Sequence, residues 1–339
     1  MMTPETSLTS SPWPHRLAVL LCAATFPLLF VGALVTTRQA GMSVPDWPNT
    51  FGYNMFLYPL SSWFAAPWNV FVEHGHRLFG ASVGMLTIAL VLALWLCDRR
   101  AWVGALGLFA LVLVIGQGVL GGMRVRLNEQ TLAQVHGCVG PLFFATTVAL
   151  CVFTSRLWRE AAPESENRIA RRIHVLALST TLLAYVQMIV GSELRHIAPD
   201  ASTDRFRTAV WFHLLLAGAV AIHVVMLWIR VFRFPGRVTA LRRPAMLLLL
   251  IVIAQIGLGC GSWLLKYGWP TIIPVPNSWV AGWTNTAGTL SQSLVITAHV
   301  ATGSLVLGIS LMLALRALRL LTPARSGMHL GRRAWEVTS

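Results

Sequence analysis

Runs of about twenty predominantly apolar residues recur along this chain, each long enough to cross a hydrocarbon core of roughly 30 Å as an α-helix. In lipid a segment must satisfy its own backbone polar groups, which leaves only helices or closed barrels as spanning structures. Barrel strands are shorter and alternate apolar with polar residues, a pattern these runs lack. With 55% hydrophobic and 11% charged residues, most of the surface must face lipid rather than water. The fold class is therefore all-α and integral to a membrane. Eight spans are predicted, at approximately 16–36, 72–97, 103–122, 131–154, 173–192, 208–229, 244–265 and 292–315. The first apolar run is too long for a signal-peptide core and reads as a retained span.

The net charge of +14 could suggest a nucleic-acid partner, but the excess lies in short connections beside helix ends. There it sets topology and meets anionic membrane lipid. One side of the membrane holds Arg99, Arg100, Arg156, Arg171, Arg172, Arg242, Arg243 and further arginines of both tails. The other side is poorer, with Arg38, Arg124, Arg126, Arg195, Arg205, Arg207 and Lys266. This asymmetry predicts a multi-pass protein of the cell (inner) membrane with both termini cytoplasmic. The cysteines Cys22, Cys97, Cys138, Cys151 and Cys260 contain no Cys-x-x-Cys, so neither a disulfide framework nor a zinc site is indicated.

The chain also matches itself. His76-Arg77-Leu78-Phe79-Gly80 aligns with His213-Leu214-Leu215-Leu216-Ala217, and Gln117-Gly118-Val119-Leu120-Gly121 aligns with Gln255-Ile256-Gly257-Leu258-Gly259 in nearly the same register. His136 then corresponds to His299, with the extra residues of the second half falling between Lys266 and Ser291. Two parallel four-helix-bundle repeats follow. Residues 1–15 form a cytoplasmic tail, 16–154 the first half, 155–172 a cytoplasmic linker, 173–315 the second half and 316–339 a second tail. The small residues of the Gln-Gly segments read as helix packing.

His76, His136, His213 and His299 each lie a few residues inside the outer end of an even-numbered span, at one depth. Ionisable side chains inside a membrane are costly and usually face the bundle interior. Four at repeat-related positions favour ligation over isolated hydrogen bonds. Two imidazoles on facing helices suit an iron porphyrin, one nitrogen on each axial position, whereas zinc would want further ligands. Glu73 stands one turn outside His76 on a similar face, and its second-half counterpart is Val210, so the halves are chemically unequal. It is either an acid beside the first heme or an interfacial carboxylate paired with a nearby arginine. Arg77 is expected to meet a heme propionate or to snorkel. His74 should point away from the His76 face, and His223 lies deeper, without a repeat partner. His15, His174, His196 and His329 read as solvated or interfacial.

These residues resemble the heme A synthase family. The carriers are Ser43-Val44-Pro45-Asp46-Trp47-Pro48 in the first outer loop, Glu73-His74-Gly75-His76-Arg77 opening the second span, and the three later histidines. The resemblance implies oxidation of the C8 methyl group of heme O to a formyl group, giving heme A for terminal oxidases. It further implies that His76 and His136 hold the substrate heme, that Glu73 is the catalytic carboxylate, and that His213 and His299 hold a heme b cofactor. A heme O synthase (protoheme farnesyltransferase) and terminal oxidase assembly factors are the implied partners. Some members carry a cysteine pair flanking the Pro-Asp-Trp-Pro loop, at the places of Val44 and Thr50 here, and no arginine follows His213. The residues alone also fit a di-heme electron-transfer cytochrome, which needs no Glu73, or a heme transporter.

Overall fold

The computed structural model describes residues 11–160, 168–197, 201–233, 239–267 and 288–321. Most of the N-terminal tail, part of the linker, the loop between Lys266 and Gly288, and the C-terminal tail with His329 lie outside the described residues. The long helices are α1 (Trp13–Thr37), α3 (Trp68–Cys97), α4 (Ala101–Leu127), α5 (Gln130–Thr154), α7 (Arg168–His196), α8 (Thr203–Arg233), α9 (Thr239–Tyr267) and α10 (Leu290–Leu321). Short helices α2 (Leu60–Phe64) and α6 (Arg156–Glu160) lie between them. All eight long helices have the length and hydropathy to cross a membrane. They run past the apolar stretches, α7 for instance continuing through Arg195 and His196. Polar residues at helix ends reach interfacial water, so the helix outlasts its hydrophobic run.

Helices α1, α3, α4 and α5 pack in a closed ring, α1 against α3, α3 against α4, α4 against α5, and α5 against α1. Helices α7, α8, α9 and α10 pack in a ring of the same cyclic order. The rings meet where α5 packs on α7 and α10 and α1 packs on α10. Gly308 lets α10 approach α5, since a Cβ there would lie 2.9 Å from Phe144. The first ring is cored by Leu21, Leu90, Leu94, Val103, Phe143 and Leu150. A larger cluster around Ile173, Leu227, Leu248 and Leu313 cores the second and takes in Ala145 of α5. Hydroxyls inside the membrane return to their own helix, as with Thr25 to the Leu21 carbonyl (2.7 Å) and Thr87 to that of Val83 (2.8 Å). These two hydroxyls are thereby satisfied without leaving their helix.

Two connections position the site. Asn128 adopts the left-handed conformation (φ 51°) after α4, so the chain reverses into α5 within a few residues. The connection from α1 to α3 is instead a compact loop. A hairpin pairs Asn49–Thr50 (β1) with Tyr53–Asn54 (β2) across a turn at Phe51 and Gly52, both at positive φ. The Asp46 carboxylate accepts from the backbone N–H groups of Phe51 (2.8 Å) and Gly52 (2.7 Å). Partial burial acts to raise the pKa of Asp46, but these donors outweigh it and hold the carboxyl below its ordinary value. This clamp therefore contributes stability at neutral pH and loses it as the pH falls through the acid range.

Candidate functional site

The segment from Glu73 to Arg77 opens α3 beneath the loop, and its side chains divide their tasks. Glu73, 3% exposed, accepts from the Val44 N–H (2.9 Å) and from Arg77 (2.7 Å). Arg77 also donates to the carbonyls of Val44 (2.8 Å), Asp46 (2.6 Å) and Asn49 (3.1 Å). The i,i+4 pair thus staples the loop to the helix. Arg77 neither snorkels nor keeps its fork free for an anion: its donors are spent on loop carbonyls. His74 is buried, bonded through Nδ1 to the Thr50 hydroxyl (3.1 Å) and edge-on to Tyr58 and Trp63. Gly75 admits Trp63 at 3.3 Å. Val44 and Thr50, where a cysteine pair stands in some similar proteins, are here fully buried anchors of the same loop.

His76 turns the other way. Its ring lies 6.5 Å, centre to centre, from that of His136 on α5, at 86°. His213 on α8 and His299 on α10 are 6.2 Å apart at 71°. The structure thus brings the four histidines together two by two, once within each ring of helices.

Each imidazole sits on a glycine of a neighbouring helix. A Cβ at Gly32 would lie 2.9 Å from His76 Cε1, at Gly121 3.2 Å from His136, at Gly191 3.2 Å from His213, and at Gly259 3.0 Å from His299. Three of these glycines follow a glutamine by one turn, and that side chain donates to the carbonyl of the same histidine. Gln117 bonds the His136 carbonyl (3.1 Å), Gln187 that of His213 (3.0 Å), and Gln255 that of His299 (2.9 Å). The glycine makes room for the ring while the glutamine fixes its backbone. The fourth cradle has Leu28 in place of the glutamine. Sequence reading treated the Gln-Gly segments as packing and passed over Gly32 and Gln187. The recurring Gln-x-x-x-Gly on α4, α7 and α9 was the available signal.

These residues fit a metalloporphyrin. A metal–imidazole bond is about 2 Å and the ring centre lies about 1 Å further, so imidazoles on both axial positions stand about 6 Å apart. Neither pair forms a hydrogen bond between its rings, and Nδ1 of His76 and of His136 is buried with no partner among the described residues. His299 Nδ1 lies 3.1 Å from the Gln255 carbonyl, the contact that fixes a ligating imidazole's tautomer. The second pair is therefore the more firmly oriented.

The remaining histidines stand apart from these pairs. His223 has a buried Nδ1 with no partner. His15, His174 and His196 are partly buried and bonded to Thr154, the Ala314 carbonyl and Ser192, so they are not simply solvated as their positions at helix ends had suggested. Cations that sequence reading used only for topology also approach the site. Arg124 lies against Gly41, and Arg195 donates to the Ala33 carbonyl and to Thr37 (2.9 Å) on α1.

The architecture defines an integral membrane protein with paired histidines held between helices. Residues 15–204 match the family described as cytochrome oxidase assembly protein (COX15-CtaA), and the chain belongs to that family. It is similar to a heme A synthase from Bradyrhizobium sp. (strain BTAi1), 29% identical over 178 residues. That match covers 50% of this chain and 45% of the relative, so the chain spans about half the length of the curated relative it matches.

Proposed function

We propose that this protein is a heme A synthase, oxidising the C8 methyl group of heme O to a formyl group for terminal oxidase assembly. The observation that carries the reading is the pair of matched histidine sites with a buried acid, Glu73, in only one half. In this reading the two rings of helices are parallel repeats, residues 16–154 serving the substrate and 173–315 the cofactor. His76 and His136 bind heme O, whose cradle lacks the fourth glutamine and whose Nδ1 atoms carry no anchoring bond, as suits a molecule that must leave. His213 and His299 hold heme b, which when bound supplies one-electron redox chemistry. The similarity to a heme A synthase supports the same assignment.

Glu73 keeps free lone pairs, because a carboxylate has roughly four acceptor sites and Val44 and Arg77 together use two. It can hold a water, take a proton, or stabilise positive charge at the carbon being oxidised. Conversion of the methyl to the formyl level would need two successive two-electron oxidations, each with an external electron acceptor or dioxygen as oxidant and an oxygen atom from water or dioxygen. The path runs through an alcohol and a hydrated aldehyde that loses water. A heme O synthase upstream and oxidase assembly factors downstream are the partners that the resemblance to the heme A synthase family implies.

Extraction and chromatography of the hemes from membranes containing the protein and heme O test the reading. Formyl or hydroxymethyl hemes are expected. Unmodified hemes alone would favour an electron-carrying di-heme cytochrome. We also propose that both termini are cytoplasmic in the cell membrane. Reporters fused after Arg100 or Arg243 should read as cytoplasmic and one after Arg126 as external, and the reverse pattern would overturn this orientation.

A further inference from the structure

Arg124 stands in the last turn of α4, one turn beyond the Gly121 that cradles His136. Its guanidinium lies flat against Gly41, where any Cβ would collide with it. Gly41 is itself buried, and neighbouring Gly122 is covered by the Trp47 indole, so the α1–α3 loop roofs this part of α4. Among the described residues no hydrogen bond or ion pair holds the guanidinium. Glu73 is near enough for its charge to act on Arg124, but it forms its ion pair with Arg77 instead. The charge of Arg124 also reaches both His76 and His136. A partly buried guanidinium with no acceptor among the described residues is a ready partner for an anion.

Resting on the heme reading above, we propose that Arg124 binds a propionate carboxylate of the porphyrin held between His76 and His136. The guanidinium fork matches a carboxylate bidentately. Arg77 has no pair of donors left for a bidentate contact, since four of its N–H groups are committed to three loop carbonyls and Glu73. The loop covers this part of α4 and places Arg124 beside the first histidine pair, which favours a substrate carboxylate over a lipid phosphate. In heme O the C8 methyl neighbours a propionate-bearing carbon. Holding that propionate at Arg124 would keep this edge of the porphyrin on the side of the loop and Glu73.

The test uses purified full-length protein carrying its second-half heme, titrated by absorbance with hemin and with hemin dimethyl ester. Wild type should prefer hemin by about tenfold or more. Arg124→Leu should weaken hemin binding roughly ten- to a hundredfold and leave the ester unchanged, while Arg124→Lys recovers part of the loss. Equal affinity of wild type for acid and ester would overturn the proposal. So would a parallel loss of both ligands in Arg124→Leu, which would make the arginine structural. Unchanged hemin binding with loss of co-purifying anionic lipid would assign it to a phosphate and overturn the proposal likewise. Hemin binding insensitive to His76→Ala would overturn the underlying reading and Arg124 with it.

Discussion

If His213 and His299 hold heme b as proposed, replacing either by alanine is expected to abolish the absorbance of that heme while the protein still accumulates in the membrane. An axial imidazole is a bond to iron, and removing one leaves a site with half its ligation and a cradle shaped for a ring no longer present. The effect should be all-or-none in the heme-to-protein ratio of purified material. The bond from His299 to the Gln255 carbonyl is lost with the ring, so neighbouring groups cannot compensate. His223→Ala is the control and should retain the full spectrum. Retention of stoichiometric heme b in both the His213 and His299 variants would remove the second pair from cofactor binding.

Glu73→Gln should leave both hemes bound and lower formyl product by roughly a hundredfold or more, the loss typical of a positioned acid or base. Glutamine keeps the size of the side chain and can still accept from Val44, but it loses the charge paired with Arg77. A second variant separates chemistry from scaffolding. Arg77→Gln breaks the same ion pair and frees the loop carbonyls while leaving the carboxylate in place. If Glu73 serves the reaction, its variant should be much the poorer of the two. If the two fall equally, Glu73 is a positioning residue whose task is to hold the loop. Full activity of Glu73→Gln would exclude it from both.

All eight helices were legible because lipid demands a long apolar run at each crossing, and that demand is written directly into residue type. The meeting of His76 with His136 and of His213 with His299 was legible for a related reason: equal depth follows from counting residues along a helix. The loop was not. Nothing in the spacing of Glu73, His74 and Arg77 says that they turn toward residues 44–50, because those contacts depend on how the loop folds back. The glycine cradles escaped for a different reason. A glycine that makes space for a ring on another helix looks, along its own helix, like one that makes space for anything. Only the glutamine one turn before it distinguished the two cases.

Arg195 lies one turn from Gly191, on which His213 rests, and donates to the carbonyl of Ala33, the residue after the Gly32 on which His76 rests. A single guanidinium therefore spans from the floor of one histidine pair to the floor of the other, with Thr37 as a second hold on α1. It works as a gauge block, adding a fixed polar strut to the packing of α5 and α1 on the second ring. On the proposed reading each chamber would hold a heme, and this tie would help keep the two at one separation.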